Sequence, residues 1–101
     1  VLNNGGGAIF HALPGLDMAG DTRRFVTASH GASAAGWAES QGFTYLRVTD
    51  TVSLLAALDD LLDEAATAPV LLEVFTDAET DAEEQRNYYH AIKEEWKNFL
   101  R

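Results

Sequence analysis

The sequence predicts an α/β fold with an open parallel sheet of about three strands flanked by helices, and three observations carry that expectation. Residues 70–75, Val-Leu-Leu-Glu-Val-Phe, form a mostly apolar run of strand length, and residues 43–48 form a second, rich in β-branched and aromatic side chains. A segment with helical periodicity lies between them, and another helix-compatible segment precedes the first. Strands that alternate with helices in this order join in parallel through crossovers.

Taken in chain order, Val1-Leu2 reads as the end of a strand whose beginning is missing, so the chain is expected to start inside a domain. Residues 14–25 have little periodicity, and Gly15, Asp17, Gly20 and Asp21 predict a loop. Residues 32–40 suit a helix, with Gly42 placed for a left-handed C-cap before the strand at 43–48. Farther on, Val52, Leu55, Leu58 and Leu62 share one helical stripe, widened by Leu54 and Leu61, and Asp50 or Thr51 can cap its first turn. Pro69 ends any helix, and 70–75 reads as a parallel strand buried on both faces. The tail carries a Thr80-Asp-Ala-Glu83 capping-box pattern and then Tyr88, Ile92, Trp96 and Leu100 at four-residue spacing, flanked by Tyr89 and Phe99. This predicts a long amphipathic helix with an aromatic packing face.

Composition narrows the function classes. Seven Lys+Arg against sixteen Asp+Glu give a formal net charge of −9, which leaves no cationic stripe for phosphate backbones, so no nucleic-acid partner is expected. The absence of cysteine removes disulfides, thiolate catalysis and Cys-ligated zinc, and favours a reducing cytoplasm. No apolar run approaches the roughly 18 residues of a membrane span, and the opening lacks the features of a signal peptide. A soluble, cytoplasmic protein is expected.

The chemistry concentrates at the start. Asn3-Asn4-Gly5-Gly6-Gly7 follows a strand's C-terminal end, where open α/β sheets bind ligands. Glycines let the backbone approach a phosphate or metal, amides opening a following helix can face an anion, and asparagine oxygens suit a hard cation such as Mg²⁺. The segment has neither the Lys and Ser/Thr of a P-loop nor a dinucleotide-binding spacing. From the residues alone, a structural glycine turn and a phosphate or metal site both stay open.

The stretch "NNGGGAIFHALP" resembles the Asn-Asn end of the thiamin-diphosphate fingerprint, and its "NNxGGxIFxxLP" form is similar to the 2-succinyl-5-enolpyruvyl-6-hydroxy-3-cyclohexene-1-carboxylate synthase family (MenD). Phe25-Val-Thr-Ala-Ser-His30 and the element order through Phe75 agree with it. The resemblance implies that residues 1–101 are the C-terminal part of a diphosphate-binding domain, with upstream domains outside this chain. It implies thiamin diphosphate and Mg²⁺ (or Mn²⁺) as cofactors, bound by Asn3, Asn4, Gly6, Gly7, Ile9 and Phe10. The side chain of Asn4 and the carbonyl of Gly6 would hold the metal in the register fixed by Ile9-Phe10, and a slip of one residue would exchange Asn4 for Asn3. Ile9 and Phe10 would also border the substrate. The implied reaction decarboxylates 2-oxoglutarate and adds the four-carbon acyl-anion equivalent to isochorismate, in menaquinone biosynthesis. The Gly-Asp-Gly half of the fingerprint and the Glu that activates the aminopyrimidine fall outside this sequence, so the fragment alone is expected to be inactive. The parent would be a homo-oligomer, and the fragment's exposed sheet edge would favour self-association.

Other features carry less. His11 and His30 have no visible catalytic partner, and no nucleophile elbow accompanies Ser29, which argues against serine hydrolysis. Arg23-Arg24 are either substrate-attracting or solvated loop charges, and Glu83-Glu84 and Glu94-Glu95 read as a solvated helix face. Two competing readings stay open: another thiamin-diphosphate enzyme, or a small non-enzymatic α/β interaction module.

Overall fold

The computed structural model describes residues 1–13 and 21–101, with the side chain of Arg23 outside the described set. Three parallel strands, β1 (Leu2–Asn3), β2 (Thr44–Val48) and β3 (Val70–Phe75), form one sheet in the order β1-β3-β2. Five helices accompany them among the described residues: α1 (Ile9–Ala12), α2 (Asp21–Thr27), α3 (Ala35–Ser40), α4 (Thr51–Leu61) and α5 (Ala78–Phe99). The expected α/β class with a three-stranded parallel sheet is therefore the observed one.

The chain divides into two compact units. Val1–Gly5 with His30–Thr76 forms the first, and Gly6–Ser29 with Asp77–Arg101 the second.

In the first unit, β3 is the central strand. Leu2 and Asn3 lie opposite Val74 and Phe75, and Arg47 and Val48 opposite Glu73 and Val74. Because side chains alternate along a strand, Asn3, Tyr45, Arg47, Glu73 and Phe75 share one face of the sheet, and Leu46, Val48, Leu72 and Val74 share the other. The expectation that β3 is apolar and buried on both faces is corrected: its apolar residues are half-buried, and its one fully buried residue is Glu73.

Helix α4 starts on the capping box of Asp50 and Ser53, with Ser53 N donating to Asp50 Oδ1 at 2.8 Å. It packs on β2 and β3, but not by the expected stripe. Ala57 is buried and Leu54 and Leu58 are half-buried, while Val52, Leu55 and Leu62 are exposed. The small Ala57 sets the inward face, because it lets the helix backbone approach the strands. Helix α3 starts at Ala35 rather than at 32, since residues 32–34 are used by the site described below. It ends as expected in a Schellman motif, with Gly42 at φ +79°, Gly42 N on Glu39 O and Phe43 N on Ala38 O.

In the second unit the loop expected over 14–25 is corrected where it is described. Residues 21–25 belong to α2, and residues 14–20 lie outside the described residues. Helix α5 begins three residues before the predicted box. Asp77 is its N-cap, and Asp77 Oδ1 accepts from Thr80 N at 2.8 Å and Thr80 Oγ1 at 2.9 Å. The short α1 packs on α5, where Ala82 is buried. Arg86 Nη1 also donates to His11 O at 3.0 Å. The aromatic face is corrected too: Tyr88, Tyr89, Trp96 and Phe99 are all exposed. A helix of 22 residues is roughly 33 Å long, and a four-residue partner spans only its first turns. No helix among the described residues is long and apolar enough to cross a membrane.

Candidate functional site

The first unit places Asn3 and Asn4 at the C-terminal end of β1, beside the C-terminal end of β3. Asn3 Nδ2 donates to Glu73 Oε1 at 2.8 Å and to Ala32 O at 2.8 Å. With both amide hydrogens committed to acceptors, Oδ1 faces the other way and accepts from Gly5 N at 3.1 Å. This is an Asx turn closed around Asn4. Gly5 stands at φ +73°, a conformation a side chain would strain, and its carbonyl accepts from His30 N at 2.8 Å.

Glu73 anchors this arrangement from the middle of β3. Its Oε2 accepts from Ser33 Oγ and Tyr45 Oη, each at 2.7 Å, and Ala34 N shares its hydrogen between both carboxylate oxygens at 3.0 Å. Every donor is neutral. Burial raises the Glu73 carboxyl, but the hydrogen bonds from Tyr45, Ser33, Asn3 and Ala34 outweigh it and hold the group down at about 2. The carboxylate is thus ionised, 1% exposed and saturated with donors. Asn3, Asn4, His30, Ser33 and Glu73 border a cavity of about 290 Å³ whose wall also includes Val1 and Leu2.

In the second unit, Gly6 and Gly7 are required by their own chain. A Cβ on Gly6 would meet Thr27 O at 3.0 Å, and one on Gly7 would meet the Phe10 ring at 2.9 Å. Ala28, at φ +46°, turns the end of α2 so that Thr27 O accepts from Gly7 N at 2.6 Å. Three amides of this segment are used within the chain: Gly5 N serves Asn3, Gly7 N serves Thr27, and Ala8 N serves Gly6 O. Ile9 is exposed and, with Leu13, Gln85, Arg86 and Tyr89, lines a mainly apolar cavity of about 370 Å³. Phe10 is half-buried beneath Gly7.

The candidate donors for a cation are the Asn4 amide oxygen and the Gly6 carbonyl. Both are neutral oxygens, a donor type that suits a hard cation already held by phosphate and water. Among the described residues no group of three or more His, Cys, Asp or Glu is placed to hold a metal. His30 Nδ1 accepts from Ala32 N at 3.2 Å, which gives that ring a local structural partner. Arg24 is exposed, and the side chain of Arg23 lies outside the described residues. The acidic pairs of α5 are solvated, and Glu94 pairs with Lys97 at 2.6 Å.

Sequence reading missed Glu73, Ser33 and Tyr45. The available signal was an acidic residue inside an otherwise apolar strand.

No family model matches the chain, and no solved structure matches it. Curated relatives do. It is 51% identical over 94 residues to a 2-succinyl-5-enolpyruvyl-6-hydroxy-3-cyclohexene-1-carboxylate synthase of Bacteroides fragilis, covering 92% of this chain and 17% of the relative. The same enzyme of Bacteroides thetaiotaomicron is 48% identical over 95 residues, covering 93% and 17%. That of Roseiflexus castenholzii is 36% identical over 81 residues, covering 80% and 14%. The chain therefore spans about one sixth of the length of the relatives it matches.

Proposed function

This chain belongs to the 2-succinyl-5-enolpyruvyl-6-hydroxy-3-cyclohexene-1-carboxylate synthase family, and on that premise we propose that it supplies part of the cofactor site of such a menaquinone-pathway enzyme. The ligands are thiamin diphosphate and Mg²⁺, and the substrates are 2-oxoglutarate and isochorismate. Asn4 gives a side-chain oxygen and Gly6 a carbonyl oxygen to the metal. The observation that carries this reading is the Asx turn, which Asn3 closes around Asn4 at the C-terminal end of β1.

When bound, thiamin diphosphate supplies the nucleophilic carbon and electron sink that decarboxylation of a 2-oxo acid requires. The residues of this chain bind and orient. Asn4 and Gly6 are neutral donors, so they fix the metal without adding charge against the diphosphate. Ile9 offers an apolar wall to the substrate from its cavity, while Phe10 supports the Gly7 backbone from beneath. The missing carboxylate ligand and the group that activates the aminopyrimidine come from the rest of the enzyme, and this segment alone is inactive.

The test is calorimetric titration of thiamin diphosphate with Mg²⁺ into the intact enzyme containing this segment. Asn4→Ala is expected to abolish metal-dependent binding. Asn3→Ala is expected to weaken binding and also to lower the melting temperature, because it removes three internal hydrogen bonds. Unchanged binding in Asn4→Ala would remove it from the metal shell.

A further inference from the structure

We propose that Glu73 is a positioning residue that sets the metal-binding turn, an inference that rests on Asn4 being a metal ligand. Four donors converge on its carboxylate from three separate places in the first unit: Asn3 at the end of β1, Ser33 and Ala34 before α3, and Tyr45 in β2. A carboxylate accepts from them all without any rearrangement. A carboxamide of the same shape would turn an N–H toward a donor.

The two oxygens divide the work. Oε2 takes Ser33 and Tyr45, while Oε1 takes Asn3. The Oε1 bond, together with Ala32 O, keeps the amino group of Asn3 on the sheet side, and this sends Asn3 Oδ1 toward Gly5 N. That contact closes the turn around Asn4. Without Oε1 the Asn3 amino group is held by Ala32 O alone, the turn loosens, and the Asn4 side chain loses its fixed origin. Glu73 is 1% exposed and saturated, so it acts through Asn3 and does not meet a ligand itself. Its place in the central strand, paired on both sides, makes it the most rigid point from which to hold a loop.

The experiment is titration of thiamin diphosphate with Mg²⁺ into the intact enzyme, with a thermal melt of every variant. Glu73→Gln is expected to weaken metal-dependent binding by about 10- to 100-fold, the range found for residues that orient metal ligands. Glu73→Asp keeps the charge but withdraws it from Asn3, and should show an intermediate loss. Val48→Ala, a buried truncation on the opposite face of the sheet, should lower the melting temperature and leave the affinity at the wild-type value. The inference is overturned if both Glu73 variants bind like wild type, or if Val48→Ala loses as much affinity for the same fall in melting temperature. If the wild-type enzyme itself does not bind thiamin diphosphate, the cofactor reading fails and this inference fails with it.

Discussion

The unit formed by Val1–Gly5 and His30–Thr76 holds an ionised carboxylate at its centre, whereas the unit formed by Gly6–Ser29 and Asp77–Arg101 leaves large aromatic side chains in solvent. This reverses the usual placement of charge and apolar surface. Glu73 is tolerated inside because its donors replace water, and they come from segments that must be held in one arrangement. Trp96 and Phe99 sit outside because their helix runs far beyond the short α1. Order in the first unit comes from directed hydrogen bonds. In the second, among the described residues, it comes from a capped helix start, the packing of α1 on α5 and the backbone bond from Gly7 to Thr27.

Glu73→Ala is the strongest way to break the contrast. It removes the acceptor shared by Asn3, Ser33, Ala34 and Tyr45, and hydrogen bonds to a charged group contribute about 1.5–3 kcal/mol each, so a loss of at least about 3 kcal/mol is expected. Urea unfolding followed by Trp37 fluorescence in a Trp96→Phe background reads the first unit. A loss under about 1 kcal/mol would mean that water enters and replaces the carboxylate.

Acid gives a smaller perturbation of the same group. The folded Glu73 carboxyl is held at about 2, below its ordinary 4.5, so its contribution is fully present above about 4.5 and is lost as pH falls from there through about 2. Asp50 and Asp77 are also lowered, first by the backbone N–H groups of Ser53 and Thr80. Both caps are present in wild type and in Glu73→Gln, so they cancel in a comparison of the two. Wild type should therefore show a steeper decline of stability between pH 4.5 and 2 than Glu73→Gln. Parallel profiles would assign the acid sensitivity to the helix caps.

Legibility of the sequence followed the same division. The strands, their parallel pairing and the Gly42 cap were readable because they depend on local pattern and on backbone preferences of single residues. The Asn3-to-Gly7 segment was readable as a site through its likeness to a known motif. Glu73 was not, because its partners are separated from it by 28 to 70 residues and only the folded sheet brings them together. The inward face of α4 was misread for a related reason. Val52, Leu55 and Leu62 form an acceptable apolar stripe, and nothing local says that the smaller Ala57 faces the sheet. In α5 the period was read correctly, but periodicity identifies a face and not what covers it.

Trp96→Ser tests the other side of the comparison and should have the smallest effect. Burying a tryptophan makes its truncation cost about 3–5 kcal/mol, whereas surface substitutions usually stay within about 0.5 kcal/mol. Trp96 is 60% exposed and stacks on Phe99 at 5.7 Å, also on α5, so the lower figure is expected for this chain at low concentration. The measurement is urea unfolding followed by far-ultraviolet circular dichroism at several protein concentrations. A small, concentration-independent change means that α5 is held by its Asp77 cap and by α1, with the aromatic stripe contributing nothing to folding. A loss that grows with concentration means that copies of the chain cover the stripe in solution. The second unit would then be an apolar packing surface like any other, exposed only where its partner is absent, and the contrast with the Glu73 unit would be one of assembly and not of folding.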